Sequence, residues 1–358
     1  MDAVVLVGGE GSRLRPLTYE IPKPMLPVVD RPMIVHVLEW LAGHGVDRAV
    51  LSLGYRPDAF LKAFPDDQVA GVALAYAVEP QPLDTAGAVK FAAESAGIGD
   101  TFLVLNGDVL TDFDASALVG FHRSRTAEAS IALTPVADPS AFGVVPIDAD
   151  GRVLAFIEKP TRAEAPTNLI NAGIYVLEMS VLARIPSATR VSIERETFPE
   201  LVASHALYAF ASDAYWLDTG TTQQYVQAQL DILAGRRPLA VLLAPEVRPG
   251  VWIASDAQVS GKLGPHSYVG EGASIAGGAV VEDCVAGARS RIGRDAVVRR
   301  SVLMSDSDVR AGAVVEDSVV GLGAVVGEGA RVTGATIIGV GAEVPPSSSL
   351  DGARFPHS

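Results

Sequence analysis

Small residues followed by cations open the chain: Gly8, Gly9, Gly11 and Ser12, then Arg13, Arg15 and Lys23. A glycine has no Cβ, so a loop of them lets backbone N–H groups approach an anion closely. The two guanidinium groups add planar, permanently charged donors, and the lysine adds a point charge. This combination suits a polyphosphate. It is not a P-loop, because Gly-Lys-Ser/Thr occurs nowhere in the chain. Nor is it the dinucleotide fingerprint, because Leu14 stands where the third glycine belongs. A plain surface turn would need neither the arginines nor a lysine set between Pro22 and Pro24.

Two carboxylates follow in similar settings: Asp108 after Leu105-Asn106-Gly107, and Asp218 within Trp216-Leu217-Asp218-Thr219-Gly220. Residues 36, 44, 122, 205, 266 and 357 are the histidines; they show no metal-ligand spacing. No nucleophile–base pair stands out, so covalent catalysis is not suggested.

The elements that must position these groups alternate. Apolar strands are expected at Ala3–Val7, Ala49–Leu53, Val72–Val78, Phe102–Leu105 and Ser130–Pro135. Helices are expected at Met33–Ala42, Asp58–Phe64, Thr85–Ala96 and Ala115–Ser124. This βαβα order predicts an α/β fold with a doubly wound, mostly parallel sheet. Ligands of such sheets bind beyond the carboxyl ends of the strands, where Gly8-Gly9 and Gly107-Asp108 both fall. Further strands are expected at Phe142–Pro146, Val153–Glu158, Ala172–Leu177 and Leu207–Ala211, and a helix at Thr221–Leu233. Gly235 to Gly250 has three prolines and no clean period, and reads as a linker. From Val251 small aliphatic anchors recur six residues apart: Ile253 and Val259; Val269, Ile275 and Val281; Ile292 and Val298; Val309 and Val315; Val326 and Val332. Hexapeptide repetition predicts a parallel β-helix whose stacked coils bury those side chains. The expected domains are therefore 1–235, a linker 236–250, a β-helix 251–350 and a tail 351–358.

Nine segments then fall in one order. VGGEGSRLRPLT and PKPMLPV precede PLDTAGA (Pro82–Ala88), LNGD (Leu105–Asp108), FGVV (Phe142–Val145), IEKP (Ile157–Pro160), NAGIY (Asn171–Tyr175), SIERETFP (Ser192–Pro199) and WLDTG (Trp216–Gly220). This series resembles the sugar-nucleotide pyrophosphorylases, and within them the mannose-1-phosphate guanylyltransferases. The resemblance implies a Rossmann-like nucleotidyltransferase with a left-handed β-helix. It implies attack by a sugar 1-phosphate on the α-phosphorus of a nucleoside triphosphate, with GTP and mannose 1-phosphate as expected partners. Sister branches use UTP, ATP or dTTP with glucose 1-phosphate.

Such chemistry is mostly positioning and charge neutralisation. The resemblance makes Arg13, Lys23, Asp108 and Asp218 the catalytic set. Asp108 and Asp218 would hold Mg²⁺, which usually takes one or two carboxylates plus phosphates and waters. Gly8, Gly9, Gly11, Ser12, Glu79, Asp84, Thr85 and Gly107 would bind the nucleotide. Gly143, Glu158, Lys159 and Asn171 would bind the sugar phosphate; the roles of Arg190 and Arg195 stay open. Asp84 replaces a glycine usual in the family, either to meet the nucleobase or to N-cap the helix beginning at Thr85. Asp218 has a similar alternative as the N-cap of the helix that follows it.

Composition limits the rest. A net charge of −14 argues against nucleic acid or an anionic membrane as partner. No long uncharged apolar stretch is present, and the chain opens on a strand, so neither a membrane span nor a signal peptide is expected. The single Cys284 suits a reducing compartment, hence a cytoplasmic location. The β-helix predicts a homo-oligomer. A non-catalytic nucleotide-sugar-binding paralogue would show erosion of the glycine loop, Lys23 or the aspartates, and none is eroded. An acyltransferase β-helix would need a general base, for which it offers only His266 and His357.

Overall fold

The computed structural model describes residues 1–54, 57–237 and 241–356. By backbone contacts the chain divides into two units: Met1–Gly9 with Val37–Trp216, and Glu10–His36 with Leu217–Ser358. The chain therefore changes unit inside the glycine loop, between Gly9 and Glu10.

The first unit is a sheet of seven principal strands: β1 (Asp2–Leu6), β2 (Arg48–Leu53), β3 (Val72–Val78), β4 (Phe102–Asn106), β5 (Ala129–Pro135), β6 (Leu169–Leu177) and β7 (Leu207–Ala211). Their spatial order is β3-β2-β1-β4-β6-β5-β7. Strands β3, β2, β1 and β4 run parallel. So do β5 and β7. Strand β6 alone among these seven runs against both of its neighbours. Its reversal sets its N-terminal residue Asn171 at the same sheet edge as the carboxyl ends of β1 to β4. Helices α1 (Met33–Gly43), α2 (Asp84–Ser95) and α3 (Ala115–Arg125) match the helical spacing of their sequences. One core cluster gathers fully buried Val4, Val104, Ile131, Tyr175 and Phe198.

Two expected strands shrink to short pairs. Gly143–Val144 and Ile157–Glu158 pair antiparallel, not the longer Phe142–Pro146 and Val153–Glu158. Pro146 has no N–H for a ladder. Asp148 then turns the chain, its Oδ1 accepting from the backbone N–H of Asp150 (3.0 Å) and Arg152 (2.9 Å).

In the second unit Thr221 caps α4 (Thr222–Leu233) with a reciprocal box to Gln224. Buried Gln229 and Tyr225 both donate to the Pro27 carbonyl. This buried polar link joins the loop Glu10–His36 to α4 and explains why contacts group them. The C-terminal region is the expected β-helix, with three faces of parallel strands. Ile275, Ile292, Val309 and Val326 stack in one register. Val281, Val298, Val315 and Val332 stack in another. All eight are buried in one cluster. Within the expected linker, Glu246–Arg248 pairs with Val251–Ile253. At the start of the expected tail, Ser349–Asp351 and Arg354–Phe355 pair with the preceding coil, and Arg354 donates to Thr222 Oγ1 at 3.1 Å. Residues 357 and 358 of that tail lie outside the described residues. No described helix is long and apolar enough to cross a membrane.

Candidate active site

In the first unit the expected residues converge on the carboxyl edge of the sheet. Gly107 follows β4 and donates to the Leu6 carbonyl at 2.9 Å. A Cβ at Gly107 would lie 2.6 Å from Val7 Cγ1, and one at Gly8 would lie 2.9 Å from Gly54 N. These two glycines therefore let β1, β2 and β4 end side by side without obstruction, and Asp108 comes next. Gly9 has open space around it. Glu79, at the end of β3, accepts from Ser52 Oγ (3.2 Å) and Leu83 N (3.0 Å). Its carboxylate fixes the turn into α2; its place beside the base is the sequence expectation.

The N-terminus of α2 is clamped by a segment from far along the chain. The Val191 carbonyl accepts from Ala86 N (2.9 Å) and Gly87 N (3.3 Å). Thr85 Oγ1 donates to Glu194 Oε2 at 2.8 Å and accepts from Ile193 N at 2.8 Å. Ser192 Oγ also donates to Glu194 Oε2, at 2.9 Å. Asp84 stands at φ +60, a left-handed conformation that glycine and aspartate tolerate best. Its Oδ1 accepts from Thr85 N at 2.9 Å, and its Oδ2 lies 3.4 Å from exposed Arg190 Nε. Asp84 is thus not the N-cap of α2: its carboxylate reaches the next residue, whereas the Val191 carbonyl serves the following amides.

The sugar-phosphate candidates flank β6. Gly143 pairs with Glu158, and a Cβ there would lie 2.6 Å from Phe156 Cζ. Lys159 is exposed, at φ +48, with its Nζ 3.4 Å from Glu158 Oε1. Asn171 donates from Nδ2 to Tyr175 Oη at 2.9 Å and accepts from Gly173 N at 2.9 Å. Burial, reinforced by the Glu194 charge, pushes the Tyr175 phenol above its usual range. Trp216 stacks edgewise on Phe142 (5.6 Å) and donates to the Ala172 carbonyl (2.8 Å), closing this side.

The second unit carries the cations. Gly11, at φ +60, packs under Thr18 and Lys23; a Cβ on it would lie 2.9 Å from Thr18 Cγ2 and 3.1 Å from Lys23 Cβ. Ser12–Leu14 forms a single 3₁₀ turn that presents Ser12 and Arg13 outward. A Cβ at Gly220 would meet the Arg13 guanidinium, with Cζ at 2.8 Å. The glycine of the Leu217–Gly220 segment thus leaves the room that Arg13 occupies. Lys23 is 6% exposed, and its Nζ lies 3.7 Å from Asp218 Oδ1. The alternative reading of Asp218 as a helix cap fails, since Thr221 caps α4. Arg15 instead pairs with exposed Glu10 at 2.6 Å.

Each expected residue therefore falls into one of two sets. Gly8, Gly9, Glu79, Asp84, Thr85, Gly107, Asp108, Gly143, Glu158, Lys159 and Asn171 belong to the first unit. Gly11, Ser12, Arg13, Lys23 and Asp218 belong to the second. Sequence reading assigned no role to Glu194, Tyr175, Trp216 or Gly220, although each lies within a segment quoted above. Arg195 is exposed, and its backbone N–H donates to Ser192 Oγ at 3.3 Å.

Comparison with known proteins places the chain in a family. Residues 2–235 match the family description "Nucleotidyl transferase", and residues 263–357 match "GMPPB C-terminal domain". A mannose-1-phosphate guanylyltransferase of Mycobacterium tuberculosis is 39% identical over 306 residues, 84% of this chain and 83% of that one. Mannose-1-phosphate guanylyltransferase 1 of Arabidopsis thaliana is 34% identical over 365 residues, 100% of this chain and 96% of that one. Among solved structures, HddC from Yersinia pseudotuberculosis aligns with TM-score 0.57 at 29% identity, over 64% of this chain and 99% of its own. The same protein complexed with GMP-PN aligns with TM-score 0.55.

Proposed function

This chain belongs to the nucleotidyl transferase family, and we propose that it transfers a guanylyl group from GTP to mannose 1-phosphate, giving GDP-mannose and pyrophosphate. The observation that carries this reading is likeness to mannose-1-phosphate guanylyltransferases over the whole chain, β-helix included. A sugar-phosphate oxygen attacks the α-phosphorus in line; its P–O bond forms as the bond to the departing pyrophosphate breaks. Two anions must meet, so the protein's task is to neutralise and align them. Lys23 takes up charge at the α-phosphate, and Arg13 at the leaving pyrophosphate. Gly8, Gly9, Gly11 and Ser12 offer backbone donors to the triphosphate. Glu158, Lys159, Gly143 and Asn171 hold the sugar phosphate, Lys159 by its exposed ammonium. Asp84, Glu79 and Thr85 border the base.

Nucleotidyltransferases of this kind use a divalent metal, which neutralises phosphate charge when bound. We take it to be Mg²⁺, with Asp108 and Asp218 as its protein donors. Both are hard oxygen ligands, and Asp218 is already matched to a cation, the Lys23 ammonium. On this reading residues 1–235 do the chemistry and residues 251–350 serve assembly, in a cytoplasmic homo-oligomer.

The test is pyrophosphate release from GTP, ATP, UTP and dTTP, each with mannose 1-phosphate and glucose 1-phosphate. GTP with mannose 1-phosphate should give the highest kcat/KM. Equal or better turnover with another nucleotide overturns the base assignment, and absence of turnover with every pair overturns the activity.

A further inference from the structure

The Lys23–Asp218 pair has a consequence for the order in which ligands enter. Lys23 is fixed at its root: the Gly11 backbone lies against its Cβ, and Leu26 N donates to its carbonyl at 3.0 Å. The distal ammonium is the part able to change partner, a compact charge on a four-carbon stem. That ammonium lies 3.7 Å from Asp218 Oδ1, with side chains only 8% and 21% exposed. A divalent cation approaching Asp218 therefore meets a positive charge held in a poorly solvated place, where screening is weak. Waters and phosphate oxygens would complete the shell of a cation held by one or two carboxylates.

We propose that Lys23 is a binding-order residue as well as a catalytic one. It occupies Asp218 in the nucleotide-free enzyme, and a polyphosphate releases that carboxylate by drawing the ammonium onto its own oxygens. The cation thus enters with the nucleotide and not before it. This rests on the reading of Asp218 as a metal donor.

The test uses Mn²⁺ alone on the nucleotide-free, full-length protein, by calorimetry or by loss of the free-ion electron paramagnetic resonance signal. The wild type should bind weakly. Lys23→Met should bind tighter by about tenfold or more, because apparent affinity scales with the fraction of sites free of the ammonium. Lys23→Met combined with Asp218→Asn should lose that gain. Asp218→Asn alone should bind no more tightly than the wild type, because the donor itself is gone. Equal affinity in the wild type and Lys23→Met overturns the proposal. So does a gain that survives in the double variant. None of these measurements involves GTP, so failure of the guanylyltransferase reading remains distinguishable from failure of this one.

Discussion

Aspartate adopts a left-handed backbone in both regions of the chain, but for different reasons. In the β-helix, Asp283, Asp306 and Asp317 have φ values of 51, 60 and 50. Each stands at a corner and meets a partner on a neighbouring coil. His266 Nδ1 lies 2.8 Å from Asp283 Oδ1. Arg289 Nε donates to Asp306 at 2.7 Å, and Arg300 Nε to Asp317 at 2.7 Å; each pair is separated by 17 residues. The repeat length of the coil sets that spacing, so these residues turn the chain and bridge coils. In the first unit Asp84 and Lys159, at φ 60 and 48, follow no period. Both sit at the sheet edge where ligands of this fold class bind.

The sharpest way to break this comparison is the same substitution in each region. Asp108→Asn should lower kcat on the order of 10²-fold or more, the scale for loss of a transition-state charge stabiliser. Its melting temperature should hold, since a half-buried carboxylate at a strand end adds little to the core. Asp306→Asn should leave kcat at the wild-type value and cost less than about 1 kcal/mol, as exposed ion pairs do. Near-normal kcat in Asp108→Asn, or a large kcat loss in Asp306→Asn, would undo the distinction.

The periodic half was the more legible. The six-residue spacing of Val309, Val315, Val326 and Val332 predicts their burial, and all four are buried. In the first unit, strand identity was readable from apolar runs such as Ala3–Val7, but direction was not. Hydropathy is the same for a strand run either way, so the reversal of β6 left no trace in sequence. The clamp between Thr85 and Glu194 spans 109 residues and depends on a hydroxyl and a carboxylate meeting in space. Asp-Thr-Gly-Thr suits a metal donor and a helix cap equally, so the sequence leaves both roles open to Asp218. The structure gives the cap to Thr221, whose side chain is correctly placed for Gln224 N.

A buried histidine extends the contrast to pH. His36 Nε2 lies 2.9 Å from the Val28 carbonyl, and burial lowers its pKa from 6.5 to about 4. The folded imidazole stays neutral while the unfolded one protonates, so its contribution is complete above pH 6.5 and is lost as pH falls toward 4. The slope approaches about 1.4 kcal/mol per pH unit, or roughly 3 kcal/mol across the window. His266, on the β-helix, is 41% exposed. Hydrogen exchange between pH 7 and 4.5 should therefore rise in residues 26–36 before it rises in 275–332. Uniform protection across both segments would remove His36 from that role.

The smallest expected effect on stability falls at Asp84, where it decides the most about specificity. Asp84→Gly keeps the left-handed backbone that the turn requires and removes only the carboxylate. Relief at φ +60 opposes the loss of the Thr85 N contact and the added freedom of the unfolded chain, so stability should change by less than about 1 kcal/mol. Guanine offers N1–H and N2–H₂ donors on one edge, a pair that adenine lacks. The partner of Asp84 Oδ2 is Arg190, a guanidinium 76% exposed at 3.4 Å, and so a weak competitor for that oxygen. The preference for GTP over ATP should consequently fall several-fold in Asp84→Gly, with kcat for GTP nearly kept. Inosine triphosphate, which lacks the 2-amino group, should lose less between wild type and variant than GTP does. An unchanged GTP-to-ATP ratio of kcat/KM would move base recognition to the backbone carbonyls of residues 79–82 and leave Asp84 as a turn residue.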